Sequence, residues 1–236
     1  MLPENPATDI EAAAVPDYLI STYEWAYVTP RAVRIFERQW LVNLILWGNY
    51  ARLSGLALDA LGANLDGRTL QVACVYGDLT VRLHARHAPQ GQLDVVDVLP
   101  VQIGNLARKI SVAGLPASAV GIHQADSSAL PFAAGYYDRV LLFFLLHEQP
   151  EAVRRETLAE AFRVLKPGGR LVIVDYHRPR AWNPLRGVML GVLAALEPFA
   201  LDLWRQEIAA WFPERPASVR KRILFGGLYQ VVEVVR

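Results

Sequence analysis

One cysteine in 236 residues, Cys74, leaves no internal disulfide framework and no multi-cysteine zinc or iron–sulfur site open to this chain. A reducing compartment suits it. Neither sign of charge dominates: 24 Lys and Arg stand against 23 Asp and Glu, a formal net charge of +1, so no broad basic field argues for nucleic-acid binding. The arginines are scattered, and the RKR run at Arg220 to Arg222 reads as a solvated face. No apolar stretch reaches the roughly 20 residues that a membrane span needs. The uncharged run Gly187 to Leu196 falls far short. MLPENPATDIEAAAVPDY, at the start, lacks a basic opening followed by an apolar run, so it resembles neither a secretory signal nor a transit peptide and is expected to be a loose tail.

Glycine is scarce where it would be most expected. A strand that turns into a helix through a glycine-rich loop cradles adenosine-containing cofactors, because glycine lets the backbone approach the ligand. In LQVACVYGDLT, Leu70 to Thr80, only Gly77 is left, with Val75 and Tyr76 ahead of it.

What is present is a large apolar fraction, 53% of the chain, enough for a substantial core. Residues 1–55 are read as a tail and helical preface, and residues 56–236 as one domain with an apolar insertion at about 182–212, either a lid packed on the core or an interfacial helix. In the preface Val33, Phe36, Trp40, Leu44 and Trp47 recur at helical spacing and are expected in the core. The aromatic cluster Tyr23 to Val28 is a candidate lid or core cap. Strands are then predicted at Leu70 to Val75, Leu93 to Val98, AVGIHQAD, Asp138 to Leu146 and Arg170 to Tyr176. Helices are predicted between them at Asp78 to His87, Val101 to Ala113 and Glu151 to Leu165. That alternation predicts a doubly wound α/β fold, a mostly parallel sheet with helices on both faces. The final YQVVEVVR is predicted to join the sheet edge.

In such sheets ligands bind beyond the carboxyl ends of the strands. The turn Ala73, Cys74, Val75, Tyr76, Gly77 follows the first strand. Asp97 ends the second, at the offset from Gly77 where a carboxylate accepts hydrogen bonds from ribose hydroxyls. Asp126 and Ser127 follow the third, placed to bond an adenine amino group or to form a plain Asx turn. The last two strands bring His147, Glu148, Asp175, Tyr176 and His177 to the same rim, a set able to bind a metal or move protons. Strand alternation predicts that Asp175 and His177 share a side while Tyr176 faces away.

VACVYGDLT, then ADSSALPF followed by YYDRVLLFFLLHE, then RVLKPGGRLVIVDYH are similar to the three signature regions of class I S-adenosylmethionine-dependent methyltransferases, particularly those acting on quinone precursors. That resemblance spans roughly Leu56 to Tyr176. The departures in the first region, with YEWAYVTPRAVRIFERQWLVNLILWGNY and the late FGGLYQ, resemble a narrower methyltransferase-like family, the RquA rhodoquinone biosynthesis enzymes, over nearly the whole chain. The narrower resemblance implies replacement of a ring methoxy group of ubiquinone by an amino group, with S-adenosylmethionine as nitrogen source and manganese required. It implies a lipid quinone as partner and a peripheral place on the cytoplasmic face of a bacterial inner membrane. Manganese suits oxygen and imidazole ligands, which makes His147, Asp175 and His177 the candidate ligands, with Glu148 in reserve. Tyr76, His147, Asp175 and His177 are the candidate catalytic residues. Under this resemblance residues 187–199 are expected to lie on the membrane as an interfacial helix, docking by apolar burial more than by attraction to anionic lipids.

Overall fold

The computed structural model describes residues 14–23 and 38–236. Val33 and Phe36 of the preface, and all of the aromatic cluster except Tyr23, lie outside the described residues. Among the described residues three helices precede the sheet: α1 (Asp17–Tyr23), α2 (Gln39–Ile45) and α3 (Tyr50–Leu61). α3 runs across residue 55, and Leu53, Ala57, Leu58 and Leu61 carry its inner face into the core.

Strand and helix then alternate as β1 (Arg68–Val72), α4 (Leu79–His84), β2 (Gln92–Asp97), α5 (Pro100–Val112), β3 (Gly121–Gln124), β4 (Tyr137–Phe143), α6 (Glu151–Val164) and β5 (Leu165–Tyr176). β4 lies between β1 and β5, and Val140, Leu141 and Leu142 have no exposed surface, which explains why its sequence is apolar without alternation. α5 begins with Pro100, where a missing N–H costs nothing, and gives way to Gly114 at φ +72°. β5 starts earlier than the sequence pattern implies, directly after α6. Its pairing with β4 jumps from Tyr137 opposite Leu165 to Arg139 opposite Arg170, so the KPGG turn is taken up as an irregularity within the strand.

After β5 come α7 (Leu185–Leu196), α8 (Asp202–Arg205), β6 (Ser218–Leu224) and β7 (Tyr229–Val235). The sheet order is β3-β2-β1-β4-β5-β7-β6, parallel through β5, with β7 antiparallel to both its neighbours. β7 is therefore an interior strand. The edge belongs to β6, which contains Arg220 to Arg222. Its residues are largely exposed and charged, a composition that discourages another strand from pairing with it.

The preface packs differently from the helical-stripe expectation. Trp40 and Leu44 are 62% and 63% exposed, and Trp47 is also exposed, whereas Val42 and Leu46 are buried. α2 thus turns Val42 and Leu46 inward and leaves Trp40 and Leu44 outward, and Trp47, at φ +52°, lies just past its last residue, Ile45. α7 buries Met189 and Leu193 and exposes Val188, Leu190, Val192 and Leu196. Among the described residues no helix is long and apolar enough to cross a membrane.

Candidate active site

A cavity of about 610 Å³ opens at the carboxyl end of the parallel strands. Ten of the strand-end residues singled out in the sequence line it together: Ala73, Cys74, Val75, Tyr76, Asp97, Asp126, Ser127, His147, Glu148 and Tyr176. α1, α2 and α7 close it from above through Tyr18, Leu19, Val42, Met189 and Leu193.

The turn after β1 keeps its shape by side-chain bracing. Ala73 stands at φ +71°, a left-handed conformation that costs a non-glycine residue about 1–2 kcal/mol. Gln71, fully buried, accepts from Thr80 Oγ1 at 3.0 Å and donates to the Ala73 carbonyl at 3.0 Å. It does not line the cavity and serves the turn. From α5, Lys109 Nζ donates to the carbonyls of Val75 (2.6 Å) and Gly77 (3.1 Å), and Gln102 donates to Tyr76 Oη at 3.0 Å. Gly77 sits at φ +82° beneath Tyr50, where an added Cβ would lie 2.6 Å from the Tyr50 hydroxyl. That hydroxyl in turn donates to Asp78 Oδ1 at 3.0 Å and accepts from the Leu79 amide at 3.1 Å, serving as the cap of α4. At Gly77 the Tyr50 ring occupies the space that a side chain would need, and the positive φ disfavours any other residue.

Asp97 joins two strand ends. Its Oδ2 accepts from the Cys74 amide at 2.7 Å and its Oδ1 from the Leu99 amide at 2.8 Å. Burial pushes its carboxyl up to about 6, although these amides pull the other way. The Cys74 side chain and the Val98 backbone also contact it, and the carboxylate lines the cavity. Asp126 forms the Asx turn foreseen as its alternative role, its Oδ1 accepting from Ser128 N and Oγ, both at 2.8 Å. Ser127 Oγ lies 2.8 Å from Thr157 Oγ1 and accepts from Gln149 Nε2 at 3.0 Å.

The far wall holds a buried acid–base group. Asp175 has no exposed surface. Its Oδ2 accepts from the Leu146 and His147 amides at 2.9 and 3.3 Å, and its Oδ1 from the Tyr176 amide at 2.7 Å. His147 Nδ1 lies 3.0 Å from Asp175 Oδ1, off the line of a good hydrogen bond. Burial lowers the His147 pKa, but the Asp175 charge and contact, with Glu197 and Glu148 beyond, outweigh it and lift the imidazole to about 9. Glu197, at the end of α7, faces the same cavity; burial raises its carboxyl, the His147 charge opposes that rise, and Tyr23 of α1 bonds to it. Phe144, at φ +53°, packs edge-on against both His147 and Tyr176.

Two expectations fail here. Tyr176 lines the cavity, and Asp175 lies behind His147 as its support. His177 is elsewhere: β5 ends at Tyr176, the chain leaves the pleat, and His177 Nδ1 donates to the Gly227 carbonyl at 2.8 Å in a separate cleft. Strand alternation does not carry past the last paired residue. His147, Asp175 and His177 thus do not converge, and the described residues contain no group of three or more His, Cys, Asp or Glu placed to hold a metal ion. The donor set therefore does not fit a resident manganese ion. Tyr18 and Glu197 are missed by the sequence reading, since they come from a seven-residue helix and from the end of an apolar segment, and no motif marks them.

Residues 69–169 match the model of a methyltransferase domain family. Among curated proteins the chain is similar to the ubiquinone/menaquinone biosynthesis C-methyltransferases UbiE of Yersinia enterocolitica and Yersinia pestis. Each is 29% identical over 137 residues, covering 58% of this chain and 53% of the relative. The chain thus aligns with about half the length of the curated relatives it matches. Among solved structures it is similar to a SAM-dependent methyltransferase from Aquifex aeolicus (TM-score 0.58, 18% identity, 88% of this chain and 98% of that one). It is similar also to geranyl diphosphate C-methyltransferase from Streptomyces coelicolor (TM-score 0.54, 15% identity, 78% and 74%). The sheet, the cavity beyond its parallel strand ends and these likenesses agree: the chain has the Rossmann-like fold of class I methyltransferases, with residues 69–169 matching the methyltransferase domain.

Proposed function

We propose that this chain is an S-adenosylmethionine-dependent transferase that modifies the ring of a lipid-tailed quinone or quinone precursor, working as a peripheral protein on the cytoplasmic face of a membrane. The observation that carries the reading is the two-ended cavity. Its inner end holds Asp97, Asp126, His147 and Glu197, while Leu44, Ile45, Trp47, Val192 and Leu196 line it and are themselves exposed. A polar head fits the first region and an isoprenoid tail the second, with the exposed rim set against lipid. Asp97 would take the cofactor's ribose, Asp126 and Ser127 its adenine, and the turn Ala73 to Gly77 its amino-acid end. Bound S-adenosylmethionine supplies the group to be transferred. His147, held by Asp175, and Glu197 are the groups able to hold or accept the proton that a ring hydroxyl or ring carbon gives up.

Methyl transfer is the reading that the domain match and the UbiE relatives support. Amination of ubiquinone to rhodoquinone is the second reading, and what favours it is the turn: Val75 and Tyr76 occupy glycine positions beside the amino-acid end, braced by Lys109 and Gln102. Manganese, if this reaction needs it, would have to be held largely by oxygens of the bound molecules. One experiment tests both readings. Purified protein is incubated with short-tail ubiquinone or its demethylated precursor, with and without manganese, and with S-adenosylmethionine carrying nitrogen-15 at the amino group and carbon-13 at the methyl. Carbon-13 in a heavier quinone means methyl transfer, and nitrogen-15 in a lighter one means amination. No labelled quinone under any condition would refute the proposed function.

A further inference from the structure

A second cleft, of about 470 Å³, lies at the foot of α7, between His177–Ala181, Arg186 and Leu203–Glu207. Arg178, Arg180, Arg186 and Arg205 all line it. Arg205 has Asp202 at 3.6 Å, and the lining carboxylate, Glu207, is engaged by Lys221. Arg178, Arg180 and Arg186 meet no carboxylate among the described residues. The lining is thus rich in donors and short of acceptors. Guanidinium groups in that arrangement suit an anion with several oxygens, and phosphate above all.

We propose that this cleft seats the phosphate group of an anionic phospholipid and so fixes α7 on the membrane surface. The choice of lipid over a soluble phosphate comes from what adjoins the arginines. The Arg178–Arg180 loop runs directly into Trp182, which is 68% exposed, and then into the helix that exposes Val188, Leu190, Val192 and Leu196. α7 is about 18 Å long and carries Arg186 in its first turn, with Arg178 and Arg180 in the loop just ahead of it, and the apolar rim of the substrate cavity along its length. A headgroup phosphate and the neighbouring acyl chains present the same two chemistries side by side. The near-zero net charge hides this local concentration, and the docking expected to depend mainly on apolar burial gains an anionic component. The inference rests on the membrane-docking part of the proposed function.

The test is sedimentation of the full chain with phosphatidylcholine vesicles, with and without phosphatidylglycerol. Each arginine near an anionic surface is expected to contribute about fivefold, so the wild type should prefer the phosphatidylglycerol vesicles by on the order of a hundredfold. Arg178→Ala/Arg180→Ala/Arg186→Ala should lose that preference and keep its binding to phosphatidylcholine. Single Arg178→Gln and Arg180→Gln variants, at exposed positions, should each lose about fivefold and stand in if the triple variant misfolds. The triple lysine variant should recover only part of the preference, because a point charge does not replace a bidentate fork. Equal wild-type binding to both vesicles, or full recovery by lysine, overturns the phosphate seat and leaves membrane docking standing. Binding to neither vesicle overturns the docking reading and the seat with it. Glycerol 3-phosphate perturbing the arginine NMR signals in a protein without vesicle preference would assign the cleft to a soluble phosphate and overturn the lipid.

Discussion

Replacing Asp97 by asparagine is expected to stabilise the ligand-free protein near neutral pH while weakening its grip on an adenosine ligand. The carboxyl is buried, and its pKa rises from 3.8 to about 6. A shift of roughly two pH units corresponds to about 3 kcal/mol. The folded value lies above the unfolded one, so the stability contributed by the neutral acid is fully present below 3.8 and is lost as pH rises through about 6. At neutral pH the wild type therefore holds an ionised group in a place that disfavours it. Asparagine imitates the neutral acid at every pH, so the two proteins should have similar stability near 3.8 and diverge above it, the variant leading by up to about 3 kcal/mol at neutrality. For a chain of this length each kcal/mol moves the melting temperature by about 2–4 °C, which scanning calorimetry across the pH range resolves readily. Titration with S-adenosylhomocysteine supplies the other half. Loss of charge-assisted bonds to ribose, about 1.5–3 kcal/mol, should weaken binding tenfold or more. A variant less stable than wild type at neutral pH would show that the amides of Cys74 and Leu99 outweigh burial, and unchanged affinity would remove Asp97 from the ribose site.

Gly77→Ala should lose about 2–3 kcal/mol in urea unfolding, since a left-handed residue acquires a Cβ 2.6 Å from the Tyr50 hydroxyl; full stability would mean the turn relaxes freely. Lys109→Met removes the ammonium that ties the Val75 and Gly77 carbonyls to α5 and should weaken S-adenosylhomocysteine about tenfold by calorimetry, with unaltered affinity showing the brace to be idle. Asp175→Asn should destabilise the fold by about 3–5 kcal/mol, because a buried imidazolium loses its counter-charge. In NMR titration the same variant should bring His147 down from about 9; in the wild type the stability from this pair is present below 6.5 and lost as pH rises through about 9. Val75→Gly/Tyr76→Gly should keep cofactor binding and abolish amination if the turn was refitted for it, a result read from product mass.

The parallel half of the sheet was legible because each strand there is buried on both faces or ends at a turn with its own chemistry. Asp97, Asp126 and Ser127 could be assigned to the cavity before the fold was seen because the strand-end rule depends only on knowing where strands stop. It failed by one residue at His177, just beyond the last pair of β5 with β7. β6 escaped because SVRKRIL reads as a charged surface, and its partner was consequently placed at the edge. Glu197 escaped for the opposite reason: it is one carboxylate closing a long apolar run, and only packing against α1 and the strand ends reveals that it points inward. The cationic cleft is invisible in the net charge, because Arg186 and Arg205 are far apart in the chain and meet only through the fold.

The position of β7 bears on how the chain reaches its folded state. β5, whose residues Leu171 to Asp175 have no exposed surface, needs a partner that is synthesised after roughly fifty intervening residues, including all of α7 and α8. During that interval a strand of Leu, Val, Ile and Val has one open edge, a template for pairing with another molecule. β6 and β7 are joined through the tight Phe225–Gly227 connection, so they can form a hairpin locally and dock as a unit. Arg236 then fastens it, its guanidinium reaching the Leu165 carbonyl at 2.6 Å and its amide the Gly169 carbonyl at 3.0 Å. Removing β7 as a whole would leave β5 with an open edge, whereas losing only Arg236 would unfasten the hairpin at its end.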